Sequence, residues 1–383
     1  MTTRREFLKK MGVMTATGLV MPSILTDNSL FARTVAANDQ VNVALIGCRG
    51  MGWSDLNDFL IHPEINCIAL CDIDKGILEN RASELEKRTN KKPELYGDYR
   101  KLLDRKDIDA VIIGTPDHWH CLQLVDACSA GKDVYVEKPL ANSIAECDVM
   151  VGAAKKYNRV VQVGQQQRSG NHWHEMKSYI DSGKLGKIAK VNVWANFGYA
   201  AILDPVPDSS VPAGIDFETW LGPSPQRTFN EKRFHGSWRM FWDYGGGLMT
   251  DWGVHLIDMA LWGMNVKGMP KRVLSSGGNF AFPNNYAETF DTMSVIYEYD
   301  DFTIQWSNVT VEMGPYGRNY GVEFVGTNGT LVANRESWEV YPFQNRIEAV
   351  KSMPNYQDHK DHVTNFLNCM QKREMNTACT IEN

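Results

Sequence analysis

The sequence predicts an α/β chain in which a doubly wound parallel sheet is followed by an α+β domain with an open, mainly antiparallel sheet. Three observations carry that prediction. Up to about Gly164, continuous apolar strands alternate with helical stretches, the pattern of a parallel sheet covered on both faces. Beyond Gly164 the apolar residues alternate with period two and turn residues multiply. A glycine cluster also follows the first strand directly, at a place where doubly wound sheets bind ligands. The 383 residues, 43% of them hydrophobic, suffice for two cores.

Thr3-Arg4-Arg5-Glu6-Phe7-Leu8-Lys9 sets two arginines ahead of a mildly apolar stretch from Met11 to Leu25. A positive region and a short apolar one describe an export peptide rather than a membrane anchor. The pattern resembles the twin-arginine signal, whose route carries folded proteins, and this implies a periplasmic destination. Cleavage is expected near the small residues Val35-Ala36-Ala37. No later apolar run is long enough to span a bilayer.

Val41–Ile46 reads as the first strand, followed by a helix through Leu60. Ile65–Leu70 is a second strand and Ile77–Leu85 has helical spacing. Ala110–Ile113 and Val134–Val136 are further strands around a helix at Leu122–Cys128, and Val160–Val163 completes the series. Lys190–Trp194, Thr292–Tyr297, Phe302–Trp306 and Val322–Val325 then show the period-two pattern. The last of these runs into Thr327-Asn328-Gly329-Thr330, and Asn-Gly is a strong hairpin signal. Pro205 to Pro225 reads as a loop, and Asp358 to Lys372 as a helix. The expected division is therefore a signal peptide over 1–37 and a dinucleotide-binding domain over 38–164. A substrate and oligomerisation domain over 165–356 comes next, and 357–383 return towards the first domain as a helix.

Charge and cysteine usage narrow the function. A net charge of −6 argues against a nucleic-acid or anionic-membrane surface, which needs a basic patch. The eight cysteines show no CxxC pair and no zinc spacing, and nothing demands a disulfide. His118/His120 and His172/His174 are two apart and would point to different helix faces, so no metal site is expected from them.

Gly47-Cys48-Arg49-Gly50-Met51-Gly52 lies between the first strand and the first helix. A pyrophosphate site needs a tight turn, close backbone approach and a helix N-terminus. Gly47 and Gly52 hold the outer places of that fingerprint, but Arg49 occupies the middle one and Gly50 follows it. Asp72 ends the second strand 20 residues after Gly52, the spacing of a carboxylate that holds the adenosine ribose. An acid there repels a 2′-phosphate, so NAD is preferred over NADP, with Arg49 pulling the other way. Thr115, Pro116 and His120 follow the next inner strand, where ligand loops sit, and Asp117 reads there as a helix cap.

Glu137-Lys138-Pro139 ends the following strand, and Gly245-Gly246-Gly247-Leu248-Met249-Thr250-Asp251-Trp252-Gly253-Val254-His255 opens a later helix. Together with the glycine turn and the Thr115-Pro116 loop, these segments resemble the Gfo/Idh/MocA family from about Val41 to the C-terminal helix. The resemblance implies a Rossmann domain, an open sheet that mediates homo-oligomerisation (dimer or tetramer), and hydride transfer between a nicotinamide and a sugar or polyol carbon. It implies a catalytic group of Lys138, Asp251 and His255, with Glu137 and Lys138 also near the cofactor. Residue chemistry agrees. Asp251 and His255 are four apart on a helix and project from one face. A histidine can take the hydroxyl proton while a carboxylate orients it, and Lys138 can hydrogen-bond the hydroxyl. Arg168, in the run Gln165-Gln166-Gln167-Arg168, is a candidate substrate contact. Trp194, Tyr199, Trp238, Trp242 and Trp252 supply aromatic faces, more often core than sugar platforms.

Two rivals follow. One is an NAD-dependent glycosidase or lyase of the same fold, although in N-acetylgalactosaminidases of that type the counterpart of Lys138 is not usually lysine. The other is a non-catalytic sugar- or dinucleotide-binding protein. Relatives also often continue into a further helical segment past the region of Cys379–Asn383.

Overall fold

The computed structural model describes residues 40–200, 203–310, 313–352 and 358–383. The expected signal peptide lies outside the described residues.

The first half winds β1 (Val41–Ile46), α1 (Gly50–Phe59), β2 (Ile65–Cys71), α2 (Lys75–Thr89), β3 (Glu94–Tyr96) and α3 (Tyr99–Leu103). It continues through β4 (Ala110–Ile113), α4 (Asp117–Ser129), β5 (Asp133–Val136), α5 (Ile144–Tyr157) and β6 (Val161–Val163). The six strands lie in the order β3-β2-β1-β4-β5-β6, and every pairing is parallel. Strand order reverses between β1 and β4, and the crevice beyond their carboxyl ends is the ligand position of such sheets. All residues of β4 and β5 are buried, as the unbroken apolar runs require.

The second half contains α6 (Asn171–Asp181), β7 (Ile188–Ala195), α7 (Phe217–Leu221), α8 (Val254–Gly263), β8 (Arg272–Gly278), β9 (Thr292–Glu298) and β10 (Thr303–Val309). After these come β11 (Tyr320–Gly326), β12 (Gly329–Ala333), β13 (Trp338–Pro342), β14 (Val350–Lys351) and α9 (Asp358–Lys372). Eight strands form a sheet in the order β14-β13-β12-β11-β7-β10-β9-β8. Its neighbours are antiparallel except β7 and β10, which run parallel. The Asn328-Gly329 signal falls in the β11–β12 hairpin, where Val325 pairs with Thr330. In β10 every second residue is buried, and Ile304 and Trp306 share a core with Trp173 of α6 and Leu256 and Met259 of α8.

Two packings position the cleft. Helix α9 lies against the parallel sheet, where Phe366 meets Phe59 and Tyr135 edge-on, with ring centroids 5.9 Å apart in both cases. Residues 214–239 cross to the parallel sheet's loops. There the amides of Lys75 and Asp216 donate to the carbonyls of Gly214 and Ile73, and His235 Nε2 meets Asp74 Oδ2 at 2.9 Å. Trp119 Nε1 donates to the Trp220 carbonyl at 2.9 Å, inside an aromatic cluster with Phe217, Phe234 and Tyr244.

Candidate active site

The glycine turn is shaped by backbone proximity. A Cβ on Gly52 would lie 2.2 Å from the Gly47 carbonyl oxygen, and one on Gly47 would lie 2.8 Å from the Gly114 backbone. Both positions therefore require glycine for the first strand, its helix and the β4 loop to meet. Arg49 caps α1 with an extended backbone (φ −98°, ψ 167°) that any residue adopts, which explains an arginine in the middle of the fingerprint. Gly50 supplies the left-handed step one residue later, at φ +42°.

Arg49, Gly50, Asp72, Thr115, Pro116 and Lys138 all line one cleft, with Gly47 and Glu137 beside them. Asp72 accepts the Cys48 amide on Oδ2 at 2.7 Å and the Asp74 amide on Oδ1 at 2.9 Å. Burial pushes its pKa up, and these amides work against that shift. The cradle, the N-terminus of α1 and the acid at the end of β2 are the donor set and shape a dinucleotide needs. They fit NAD.

The other end of the cleft is built from side chains. Lys138 Nζ donates to Asp251 Oδ1 at 2.8 Å and to the Asp251 carbonyl at 3.0 Å. Tyr199 Oη donates to Asp251 Oδ2 at 2.6 Å, and Arg239 Nε stands 3.3 Å from Oδ1. Burial alone would raise the Asp251 pKa, but Lys138, Arg239 and these hydrogen bonds bring it down to about 2. Glu137 accepts Gln166 Nε2 at 2.8 Å, and its pKa is raised by burial despite neighbouring Lys138. Of the three expected catalytic residues, Lys138 lines the cleft. Asp251 borders it through that ion pair, next to the half-exposed Tyr199.

His255 is held from a different direction. Its Nδ1 lies 2.9 Å from Gln165 Oε1, while Gln165 Nε2 donates to the Val254 carbonyl at 3.1 Å. The second bond fixes the amide orientation, so Oε1 accepts and Nδ1 carries the proton. Burial, with Lys138 next in effect, pushes the His255 pKa well down. The ring is thus a neutral Nδ1–H tautomer with Nε2 free of its proton.

Residues Met249–Gly253 form a π-helical turn ahead of α8, so the spacing of an α-helix does not carry Asp251 onto His255. No hydrogen bond joins those two among the described residues; Gln165, not Asp251, orients the histidine. A Cβ on Gly253 would stand 3.1 Å from Met249 Sδ and 3.5 Å from Trp306, so this position packs against the second core. Arg168 is clamped by Asp258 through Nε at 2.8 Å and Nη2 at 2.6 Å and does not line the cleft. His120 is a brace behind the cleft, with Nδ1 2.8 Å from the Pro139 carbonyl and Nε2 2.8 Å from that of Thr115. Pro116, not Asp117, occupies the cap position of α4. Asp117 is a buried acid in the cleft wall, raised to about 8 by burial although Arg239 and Lys138 oppose it.

Gln165, Tyr199, Arg239 and His235 are the residues whose roles sequence reasoning missed. Tyr199 was visible only as one aromatic among five, and of the others Trp194 is core while Trp238 lines the cleft. Gln165 sat in a noticed run without a partner to suggest its task. Arg239 belongs to no motif. All eight cysteines are free, and Asp55, Asp58 and His359 form one candidate metal-binding group among the described residues, apart from both HxH pairs.

Comparison with known proteins agrees with this architecture. Residues 41–165 match the Gfo/Idh/MocA oxidoreductase family's NAD-binding Rossmann fold, and residues 169–380 match its C-terminal alpha/beta domain. An aldose-aldose oxidoreductase from Caulobacter crescentus, solved with glycerol, superposes with TM-score 0.65 at 18% identity, covering 87% of this chain and 90% of that one. A myo-inositol 2-dehydrogenase from Lactobacillus plantarum gives TM-score 0.64 at 20% identity, covering 90% and 92%. At such identities the likeness is one of fold. An alpha-N-acetylgalactosaminidase from Shewanella oneidensis is 28% identical over 202 residues, which are 48% of this chain and 44% of that protein. The chain thus spans under half the length of the curated relatives it matches. Matched in both halves, the chain belongs to the Gfo/Idh/MocA family of oxidoreductases.

Proposed function

We propose that the protein is an NAD-dependent dehydrogenase that moves a hydride between a nicotinamide and a secondary hydroxyl or keto carbon of a sugar, glycoside or polyol. The observation that carries this reading is the buried Lys138–Asp251 ion pair at the wall of a cleft that fits a dinucleotide. NAD, when bound, supplies the hydride acceptor, and NADP is disfavoured by Asp72.

In this reading each residue has a distinct task. An ammonium has three N–H donors, and Asp251 takes two of those on Lys138. The third is left to hold the substrate oxygen. Asp251 stays ionised at neutral pH and anchors the lysine, with Tyr199 and Arg239 fixing the carboxylate in turn. His255, neutral and protonated on Nδ1, takes the hydroxyl proton on Nε2. Glu137 and Gln166 hold the backbone of the lysine's strand end.

The test is nicotinamide absorbance on a panel of sugars and polyols, with Lys138→Ala as the control. NADH formation that disappears in the variant while NAD still binds supports the reading; a panel with no redox change overturns it. A second reading is redox-assisted glycoside cleavage, favoured by the curated relatives named as glycosidases. Release of an aglycone without net NADH identifies that activity. A non-catalytic sugar- or dinucleotide-binding protein would bind NAD or sugars and do neither.

Further parts of the proposal concern place and assembly. Residues 1–37 are proposed to direct twin-arginine export to the periplasm, and retention in the cytoplasm after Arg4→Lys with Arg5→Lys checks this. The division into 38–164, 165–356 and a returning 357–383 is proposed as the domain plan, with a dimer or tetramer formed through the open sheet. The substrate is a small molecule, and neither nucleic acid nor a membrane anchor enters the scheme. No helix among the described residues is long and apolar enough to cross a membrane.

A further inference from the structure

We propose that Asp55, Asp58 and His359 hold a divalent transition-metal ion of the zinc or manganese kind, pinning the C-terminal helix to the first helix of the parallel-sheet domain. Asp55 and Asp58 are three apart on α1 and so share a face. His359 arrives in the first turn of α9, some three hundred residues later. One oxygen from each carboxylate and one ring nitrogen all lie within 4.8 Å of one another.

Asp55 is the reason to look for an ion there. It is 1% exposed, and its Oδ2 has no hydrogen-bond partner among the described residues. A buried carboxylate oxygen without a donor costs several kcal/mol by order of magnitude, and native proteins rarely leave one so. Helix α1 could have placed an apolar residue at that position. It places an acid one turn from a second acid, facing an imidazole from another helix.

The spacing between the other two points the same way. His359 Nδ1 and Asp58 Oδ2 are 3.6 Å apart, too long for a hydrogen bond. Two ligands bound at about 2.0–2.2 Å in a tetrahedral centre stand roughly 3.4 Å apart. Two carboxylates and an imidazole suit Zn²⁺ or Mn²⁺, whereas Mg²⁺ sites are typically all oxygen. Asp58 is partly exposed and His359 more so, leaving an entry path and room for water as a fourth ligand. The ion would lie outside the cofactor cleft, and its role is structural: α9 also carries Phe366 and Leu367 into the core and His362 to the Val163 carbonyl. The inference does not depend on which substrate the cleft takes.

The test uses the full chain, stripped with a chelator, dialysed, and titrated with ZnCl2, MnCl2 or MgCl2. Bound metal is read by elemental analysis and the fold by thermal midpoint. The expected result is one Zn²⁺ or Mn²⁺ per chain with a raised midpoint, and little response to Mg²⁺. His359→Ala, at a partly buried position in the first turn of α9, should weaken binding at least about tenfold and abolish the rise. Asp55→Asn should do the same. Absence of a stoichiometric ion in wild type overturns the proposal, as does undiminished binding in His359→Ala. So does a metal-free Asp55→Asn protein that is as stable as the loaded wild type, since a proton would then satisfy Asp55.

Discussion

The two ends of the cleft are built from different materials. At the cofactor end the contacts that matter run between backbones: Gly52 against Gly47, and Gly47 against Gly114. At the reaction end they run between side chains brought from distant parts of the chain, Lys138 to Asp251, Tyr199 to Asp251 and Gln165 to His255. A backbone cradle is set by close approach, and at Gly47 and Gly52 it tolerates no added atom. A side-chain constellation spans two sheets and fails by losing a charge or a proton position. Under the proposed function, the first end governs whether cofactor is held and the second whether anything happens to it.

Substitutions can separate these roles. The largest effect is expected from Lys138→Ala, which removes the group proposed to hold the substrate oxygen and leaves Asp251 to Arg239 and Tyr199. Turnover should fall by about 10²–10⁴ with NAD affinity within a few fold, measured by steady-state kinetics and cofactor titration. Comparable loss of NAD binding would merge the two ends and break the contrast. Gly52→Ala comes next and should do the reverse. With a methyl driven against the Gly47 carbonyl, NAD binding is lost and stability drops by roughly 1–3 kcal/mol, read by cofactor titration and denaturant unfolding.

Gln165→Leu sharpens the reaction end further. It removes the acceptor of His255 Nδ1–H, so the ring can adopt either tautomer. We expect turnover to fall about tenfold to a hundredfold with KM little changed, and stability to drop by roughly 1–2 kcal/mol. A change confined to stability would make Gln165 merely structural.

Asp117 links charge to pH. Its folded pKa near 8 lies above the ordinary carboxylate value, so its stabilising contribution is complete below about pH 4 and is lost as pH rises towards 8. Asp117→Asn should therefore unfold at a higher temperature than wild type. The gap should widen from about pH 4 to about 8 and then level, as followed by thermal melts across pH. A gap independent of pH would mean that Asp117 is ionised in the fold. Gly50→Ala is the smallest expected change. Nothing stands within 4 Å of its Cβ position, so only the left-handed backbone is strained, at roughly 1 kcal/mol.

The contrast between the two ends also explains what could be read in advance. The strands, the glycine turn and Asp72 pack on distant partners such as Gly114, but their periodicity and spacing are written in short segments. The clamp on Arg168 is not legible in its own segment, because its partner Asp258 lies 90 residues away. The Asp251–His255 pairing assumed regular helix geometry. A single widened turn at Met249–Gly253 gave each of the two a different partner. Gln165 and Arg239 act through His255 and Asp251, which α8 and the turn ahead of it deliver, so local pattern holds no trace of them.

Residues 214–239 close the cofactor end from the other half of the molecule, tied to it by His235–Asp74 and by the backbone bonds at Ile73 and Lys75. Under the proposed function, a dinucleotide in this cleft is lined from both halves, and its release is coupled to that seam. Its residence time then becomes a property of how the two halves breathe, and a seam that opens rarely would favour substrates that regenerate the oxidised nucleotide in place.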